Sequence, residues 1–398
     1  MEESSSINMP LNLPEFRVLE QRVYPKRNLI TVWIESRRLW AECPRCGSKS
    51  NKDVKDDHWR KVKELRAMDH EVVLQLRQRR MYCSRCQKRF YESFESVDVK
   101  QRQTKRLQGY LLSLVRGRSL MEAARNSPVT YRVLRYFYLK LAQRKCEKVE
   151  PLPRRIGVDE FATKKGHNYA TAITSLTRHH IWGVGQKRTQ ETLQCLLTTP
   201  GACAWRVKEA VIDMWEAFFL ALKQTLKKSA LIIIDRFHVE RHLYESVDKC
   251  RKRLSKGVKN SPFKKARKLF LTPVAQLSDE QKLKRDELLK DYPQLALCVH
   301  LADRLHRWYS IPKSRDQADN QLNYWLRCLL DSDIPELVDF AQMVKRWRPY
   351  IVNYFVSRST NGMSEGFNTK IKLIKRLGYG RLTFVHLAAR ILLECAPP

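Results

Sequence analysis

The chain contains 398 residues, enough for two or three domains of ordinary size. Hydrophobic residues make up 43% of it, which is sufficient for a buried core and excludes a wholly disordered protein. No apolar run approaches the ~18 residues that a membrane-spanning helix needs. The first residues lack the basic and apolar segments of a secretory signal, so we expect a protein of the cytoplasm.

Positive charge is the strongest compositional feature. Lysine and arginine number 76 against 42 aspartate and glutamate residues, which gives a formal net charge of +34, and the excess lies on both sides of residue 150. A folded protein this basic repels itself unless it works against a polyanion. A membrane surface is the poorer candidate, because the sequence has neither a basic amphipathic N-terminal helix nor a lipidation signal. Nucleic acid is therefore the expected partner.

Two Cys-x2-Cys pairs stand out in the first hundred residues: Cys43 with Cys46, and Cys83 with Cys86. Each pair can offer two thiolates to one metal ion from a tight turn, and the two pairs complete a tetrahedral site. We predict a structural zinc ion, because four protein ligands leave no open position for catalysis. The surrounding segments alternate short β-like runs with turns, and a β-hairpin must fill the interval between the pairs. A metal-free pair of turns is the alternative.

Residues 101–150 have the pattern of helices. The segment 101–117 carries an apolar stripe, and two further helices are predicted on either side of a turn at 126–128. This is the layout of a helix-turn-helix, whose second helix enters the major groove of DNA with its N-terminus first. Arg132 and Arg135 lie on the early turns of that second helix, so we predict that they contact DNA.

The periodicity changes after a proline-containing linker at 147–155. Three strand-like runs follow in quick succession, then a helix, a short strand at 209–214, another helix and a buried strand at 230–239. This order is typical of an RNase H-like α/β core, which we predict here.

An all-helical insertion into this core is predicted from about 245 to 350, where the strand signal disappears. Its aromatic residues are expected to pack between helices. The stretch 251–268 carries nine basic residues and no acid, and we expect it to contact phosphates without reading sequence. The core resumes after residue 359 with an amphipathic helix.

Acidic residues stand on three of the predicted core elements: Asp159 in the first strand, Asp213 at the end of the fourth, and Glu365 on the late helix. Hydrolysis and transfer of phosphodiester bonds need two divalent cations ~3.5–4 Å apart, and Mg²⁺ prefers carboxylate oxygens. We therefore predict that these three acids are catalytic and hold Mg²⁺ or Mn²⁺. Lys372 and Arg376, on the polar face of the late helix, are predicted to contact DNA.

Asp235 competes with Asp213, because it also ends a strand. Its alternative role is to cap the helix that follows, for which aspartate is well suited. The order of the strands favours Asp213, since Asp235 would come one strand too late. Position in the sequence alone leaves both residues open as the second catalytic acid.

Several motifs resemble those of the DDE transposases of the ISL-three class of bacterial insertion sequences. They are IGVDE from residue 156, VIDMW from 211, IIIDRFH from 232 and STNGMSEGFNTKIKLIKR from 359, together with CPRCG and RRMYCSRCQKRFYE around the cysteines. The resemblance implies an enzyme that binds the terminal inverted repeats of its element, cuts their 3′ ends and joins them to target DNA. It assigns the catalytic triad to Asp159, Asp213 and Glu365. Asp235 and His238 match a D-x2-H signature of related superfamilies and are expected to be supporting.

Three other functions share part of this pattern. A zinc-dependent DNA-binding regulator would need only the first 150 residues, and a nuclease or resolvase of the same fold would share the acids but not the motif after residue 359. An inactive transposase relic is less well supported, because all three acids and all four cysteines are present. We predict a zinc-binding module at 1–100, a helix-turn-helix domain at 101–150 and a catalytic domain at 151–398. We expect them to work as a homo-oligomer on DNA, in the bacterial nucleoid.

Overall fold

The computed structural model describes residues 10–99, 101–147, 150–164, 166, 168–256, 265–380 and 382–396. The chain divides into two compact units, Met1–Leu141 and Ala142–Pro398. No helix in the described ranges is long and apolar enough to cross a membrane.

The first unit contains eight strands among its described residues: β1 (Phe16–Tyr24), β2 (Leu29–Ser36), β3 (Ala41–Glu42), β4 (Lys49–Ser50), β5 (His58–Ala67), β6 (His70–Gln78), β7 (Arg80–Cys83) and β8 (Lys88–Tyr91). Four of them form a sheet in the order β1-β2-β6-β5, in which β2 and β6 are parallel and the other pairs antiparallel. Every second residue of β6 is fully buried, as expected for a sheet with one face on a core. The hairpin β5–β6 fills the interval between the two cysteine pairs.

Three helices follow in the first unit: α1 (Lys105–Val115), α2 (Leu120–Arg125) and α3 (Tyr131–Glu147). Thr104 caps α1 by accepting a hydrogen bond from the N–H of Leu107. The carboxylate of Glu64, on β5, is 2% exposed; it accepts a hydrogen bond from the Thr104 hydroxyl and pairs with Arg106 at 2.9 Å. This buried charge pair attaches α1 to the sheet, so the boundary predicted at residue 100 lies inside one compact unit.

The second unit contains a five-stranded sheet: β9 (Arg155–Ala162), β10 (Tyr169–Ser175), β11 (His180–Gln186), β12 (Glu209–Ile212) and β13 (Leu231–Ile234). The strand order is β11-β10-β9-β12-β13; β10 is antiparallel to both of its neighbours, and β9, β12 and β13 run parallel. The apolar runs of β12 and β13 are buried without alternation, as in a parallel sheet covered on both faces.

Helices cover one face of this sheet and continue into a large helical region. They are α4 (Gln190–Thr198), α5 (Glu216–Thr225), α6 (Arg236–Leu254), α7 (Arg267–Phe270), α8 (Asp279–Leu289), α9 (Pro293–Ser310), α10 (Arg315–Leu330), α11 (Pro335–Ile351) and α12 (Tyr354–Ser357). Trp308, Tyr309, Trp325 and Trp347 are buried here, in one core with the sheet. Their predicted role in packing between helices matches this arrangement.

The basic stretch 251–268 is only partly within the described residues, since 257–264 fall outside them. Asp248 pairs with three of its cations, Arg251, Lys252 and Arg267. Burial alone would raise the pKa of Asp248, but the hydrogen bonds from these cations outweigh it and lower the pKa to about 2. Arg253 pairs with Glu336 on α11. Part of the charge expected to contact phosphate is therefore neutralised within the protein.

The opposite face of the sheet is covered by α13 (Gly362–Leu377) and α14 (Phe384–Glu394). Ile371 and Ile374 of α13 pack against Phe161 of β9 and Ile391 of α14 in a second apolar cluster. Because side chains two apart on a strand share a face, Asp159 points to the same side as Phe161, towards α13. This packing brings the first strand and the late helix together.

Asn361, immediately before α13, joins the sheet to this helix. It is 4% exposed; its side-chain amide donates to the carbonyl of Val158, and its backbone N–H donates to the carboxylate of Asp235, each at 3.3 Å. Its side-chain oxygen accepts a hydrogen bond from the hydroxyl of Ser364. The side chain fits only because position 157 is glycine: a Cβ there would lie 2.1 Å from Oδ1 of Asn361.

We predict that Gly157→Ala destabilises the protein, because the added methyl group forces Asn361 away from the sheet. Overpacking of this kind costs about 1–3 kcal/mol, and the expected result is a lower midpoint in chemical denaturation. Gly366→Ala, on α13, is the matched control: its Cβ would meet nothing within 4 Å, so better helix propensity should stabilise by up to about 1 kcal/mol. An unchanged midpoint for Gly157→Ala would contradict this account of the joint.

Candidate functional site

Four cysteine side chains converge in the first unit, where the paired strands β3 and β4 lie beside the paired strands β7 and β8. The Sγ atoms of Cys43, Cys46, Cys83 and Cys86 all lie within 4.8 Å of one another. The separations from Cys43 to Cys86 and from Cys46 to Cys83 are each 3.5 Å, too long for a disulfide bond. In the described residues this is the one group of three or more His, Cys, Asp or Glu side chains with ligand atoms this close.

The surroundings of the four thiols favour a bound cation. A hydrogen bond from the Ser48 hydroxyl lowers the pKa of Cys83 to about 6, whereas burial raises the pKa of Cys86 to about 12. Four thiolates cannot all be ionised at this spacing without a positive charge between them. Zinc supplies that charge and takes four sulfur ligands in tetrahedral geometry. The cluster fits a structural zinc ion.

A second concentration of chemistry lies at the end of the parallel strands of the second unit. In the register of the sheet, Val211 pairs with Gly157 and Ile212 with Ile234. Continued along the strands, this register brings Asp213 level with both Asp159 and Asp235. In-register residues of parallel strands point the same way, so the sheet presents three carboxylates in a row.

These carboxylates open into one cavity of about 520 Å³, between the sheet edge, α6 and α13. Its lining includes all five acidic or histidine residues predicted for the site, and cations of α6 and α13: Asp159, Asp213, Asp235, His238, Glu365, Arg241, Lys372 and Lys375. The carboxylates share the cavity without grouping as tightly as the cysteines, since no three of these ligand atoms, among the described residues, lie within 4.8 Å of one another.

Asp159 is the acid that burial affects most clearly. Its carboxylate accepts hydrogen bonds from the N–H of Glu160 at 2.8 Å and from the side-chain amide of Asn368, on α13, at 3.1 Å. Burial raises its pKa to about 6, although these hydrogen bonds and the nearby His238 act in the opposite direction. Its neighbour Glu160 is engaged by Arg188 at 2.9 Å. A half-buried carboxylate whose pKa is raised in this way is stabilised by any cation that enters the cavity.

Asp213 is held by groups of α6. Nδ1 of His238 lies 2.8 Å and an Nη atom of Arg241 lies 3.7 Å from its Oδ2, and Oδ1 accepts from the N–H of Met214 at 2.6 Å. Burial acts to raise the pKa of Asp213, but His238 and then the other partners outweigh it and the pKa is lowered. Burial likewise acts to lower the pKa of His238, and its pairing with Asp213 raises it.

Asp235 occupies the N-cap position of α6 without capping it through its side chain. Its carboxylate is 2% exposed and accepts the N–H of Asn361, and burial raises its pKa. It faces the same cavity as the other acids, and His238, three residues later, pairs with Asp213 instead. The capping role considered for Asp235 is thus replaced by a contact with the segment before α13.

Glu365 lies exposed in the first turn of α13, on the wall of the cavity opposite the sheet. Lys372 stands two turns further along the same helix and also lines the cavity, whereas Arg376 is exposed outside the lining. In the first unit, Arg132 and Arg135 are exposed on α3, and Leu134 between them is buried. The structure therefore brings together the predicted acids but not all of the predicted DNA contacts.

Three residues for which the sequence patterns predicted no role contact the acids directly: Asn361, Asn368 and Arg241. Both asparagines lie within the motif that contains Glu365. Asn368 follows Glu365 by three residues, so helical periodicity places these two side chains on one face of α13. That spacing is the signal that could have identified Asn368. Arg241 follows His238 by three residues on α6 in the same way.

Two protein-family models match the chain, one in each compact unit. A family model for DDE transposases of the ISL3 class, described as transposase, matches residues 156–391. A second model, described as the zinc-finger of transposase IS204/IS1001/IS1096/IS1165, matches residues 41–86, which include all four clustered cysteines.

Two named transposases are similar in sequence. The transposase for insertion sequence element IS1001 of Bordetella parapertussis is 29% identical over 350 residues, which cover 85% of this chain and 84% of that protein. The transposase for insertion sequence element IS1557 of Mycobacterium tuberculosis is 25% identical over 255 residues, 57% of this chain and 56% of that one. Since the first family model matches more than half of the chain, the chain belongs to the ISL3 family of DDE transposases, enzymes that cleave DNA and transfer its strands.

Proposed function

We propose that this transposase binds the terminal inverted repeats of its own insertion sequence, cleaves their 3′ ends and joins them to target DNA. The observation that carries the proposal is the row of carboxylates opening into one cavity with Glu365 on its far wall. The net charge of +34 favours a polyanionic substrate. A regulator would use neither the cavity nor its acids, and a relic would not be expected to keep all of them.

The second unit is, in this proposal, an RNase H-like catalytic domain with a helical insertion. The support is the strand order β11-β10-β9-β12-β13, with three antiparallel strands before two parallel ones. In such a core the acids lie on the first strand, the end of the fourth strand and a late helix. Asp159, Asp213 and Glu365 have these positions, and the insertion at about 245–350, which includes α7 to α11, lies between the last two.

The catalytic triad is Asp159, Asp213 and Glu365, and the proposed ligand is a pair of Mg²⁺ or Mn²⁺ ions. The donor set fits, because hard divalent cations take carboxylate oxygens and the buried Asp159 has few other partners of positive charge. Two such cations, when bound, stabilise the attacking and the leaving oxygens of an in-line displacement at phosphorus. The protein holds Asp159 through Asn368 and Asp213 through His238 and Arg241, so that both acids are oriented before a cation arrives.

Asp235 and His238 are supporting residues in this proposal. Asp235 connects the end of β13 to the backbone of Asn361, and His238 balances the charge of Asp213. Asp235 remains close enough to the cavity to be a ligand instead, which makes it the necessary comparison in any test of the triad.

The DNA contacts are proposed for two regions. Lys372 and Arg376 lie along α13 beside the acids and suit phosphates close to the scissile bond. In the first unit, α2 and α3 would act as a helix-turn-helix at residues 101–150, with the exposed Arg132 and Arg135 reading the terminal repeat. Two ends must be held together for transfer, so a homo-oligomer on the DNA of the bacterial nucleoid is the proposed working form.

The triad is tested by Asp159→Asn, Asp213→Asn and Glu365→Gln, which remove charge but keep shape. Cleavage of a duplex bearing the inverted repeats that flank the gene should fall by several orders of magnitude, while binding to that duplex is retained. Mn²⁺ should raise the melting temperature of the wild type and not that of Asp159→Asn. Asp235→Asn should hurt cleavage less, because an asparagine oxygen can still accept the N–H of Asn361. Should Asp235→Asn abolish cleavage and Asp213→Asn spare it, the triad would be Asp159, Asp235 and Glu365.

Zinc in the first unit is tested by metal analysis of the full chain. About one zinc per chain is expected, and Cys83→Ser should lose it, unfold the cluster and weaken binding to the terminal repeats. Cys195→Ser is the matched control, since Cys195 is exposed on α4 and distant from the cluster in sequence. A wild-type protein that contains no zinc and folds equally well in a chelator would contradict the assignment.

The helix-turn-helix is tested by replacing Arg132 and Arg135 together with alanine. Affinity for the terminal-repeat duplex should fall at least tenfold relative to a scrambled duplex, because base contacts by such residues are each worth about 1–3 kcal/mol. Lys372→Ala, by contrast, should weaken both duplexes about equally. Equal losses on both duplexes for the double variant would show that α3 binds backbone and does not read sequence.

A further inference from the structure

A second cavity lies in the helical region, between α9 and α10. Its volume is about 580 Å³, and none of the acids of the first cavity lines it. The residues that matter to the argument are three cations and three apolar or aromatic side chains: Arg304, Arg307, Lys313, Trp308, Ile311 and Tyr324. The lining residues include no Asp or Glu, so the cavity is cationic.

The cations of this cavity are arranged around aromatic rings. The Arg304 guanidinium lies 5.7 Å from the ring centre of Tyr324, and the Lys313 ammonium lies 5.6 Å from that of Trp308. Burial lowers the pKa of Lys313, and the nearby Arg358 acts in the same direction. Lys313 donates a hydrogen bond to the neutral amide of Gln321 at 2.8 Å. The site therefore carries positive charge that an anion would stabilise.

The aromatic surface of the cavity is available to a ligand. Tyr324, on α10, is 62% exposed, and Ile311, which directly follows α9, is 56% exposed. Buried indole N–H groups usually have an acceptor, and that of Trp325 donates to the carbonyl of Leu301 at 3.1 Å. The buried indole N–H of Trp308 has no acceptor in the part of the chain that the structure describes. That atom has almost no accessible surface, so the cavity offers a ligand the exposed ring of Tyr324 and not the indole N–H of Trp308.

We propose that this cavity binds an unpaired nucleotide of the DNA substrate. The base stacks on Tyr324 beside Ile311, and the phosphate pairs with Arg304 and Lys313. Stacking on aromatic side chains together with phosphate contacts is how proteins hold single-stranded DNA without reading its sequence. Paired bases within a duplex do not present their faces in this way.

This inference rests on the proposed function, because strand cleavage and transfer are what produce unpaired nucleotides. A cut at one strand of an element end frees the nucleotides beside it, and joining to staggered positions of a target leaves short single-stranded gaps. A site for one such nucleotide, outside the acidic cavity, would hold the displaced strand while the acids act on the other.

The test measures binding of the full-length protein to three fluorescent probes: an oligothymidine of about ten nucleotides, the same oligonucleotide with abasic sites, and a blunt duplex of about 20 base pairs. Tyr324→Ala should weaken binding of oligothymidine by about fivefold to a hundredfold, the usual range for loss of one stacked base. Its binding of the abasic probe and of the duplex should change less than twofold.

Trp205→Ala is the matched control. Trp205 is 61% exposed and carries a cation, Lys227, 5.5 Å from its ring centre, but lies outside the cavity. It should leave all three affinities within twofold of the wild type. The inference is overturned if Tyr324→Ala leaves oligothymidine binding unchanged, or weakens the abasic probe equally, which would indicate charge alone. Wild-type protein that binds the duplex and not oligothymidine would overturn the inference alone; wild-type protein that binds neither would overturn the proposed function as well.

Discussion

The repulsion among carboxylates at the end of three in-register parallel strands is the constraint on which the second unit depends. Asp159, Asp213 and Asp235 are level with one another because β9, β12 and β13 pair without an offset. Each is largely buried, and a buried carboxylate without a counterion is strongly disfavoured. The protein supplies compensation from His238, Arg241 and two asparagines. In the proposed function, divalent cations supply the remainder.

This constraint explains why polar residues occupy the junction between the sheet and α13. Apolar packing of Ile371 and Ile374 against Phe161 holds the C-terminal half of α13 on the sheet. At its N-terminal end the contact is made by Asn361 and Asn368, which donate N–H groups to the carboxylates of Asp235 and Asp159. A leucine at position 368 could pack but could not donate to Asp159, and a leucine at position 361 would keep its backbone N–H but lose the side-chain hydrogen bond to Val158. The glycine at position 157 is the space that this arrangement requires.

Some of the positive charge of the chain is paired with acidic residues within the protein, and some lines the two cavities. Asp248 and Glu336 bind cations of the basic stretch within the helical region, and Glu64 binds Arg106 within the first unit. The cations that line the two cavities, among them Arg241, Lys372 and Arg304, lie where a substrate phosphate can reach them. Net charge alone thus overstates the surface that is available to DNA.

The sequence by itself determined the elements and the chemical inventory. Cys-x2-Cys spacing is local, so it identified the four cysteines, and the apolar runs of β12 and β13 are continuous enough to be recognised as buried strands. The acids were predicted because each stands on, or at the end of, a predicted core element. Local pattern could not decide how these elements align. Whether Asp213 or Asp235 faces the site depends on the register of β12 with both neighbours, and the answer is that both do.

Only the tertiary structure decided the contacts that connect distant segments. Asn361 and Val158 are 203 residues apart, and no periodicity relates a side chain in one segment to a carbonyl in the other. The pairing of His238 with Asp213 and not with Asp235 depends on how α6 lies across the strand ends, which is set by packing of the whole helical region. The second cavity likewise exists only because α9 and α10 lie side by side. Sequence periodicity determines which face of an element is apolar, whereas the partner of a polar side chain is set by three-dimensional packing.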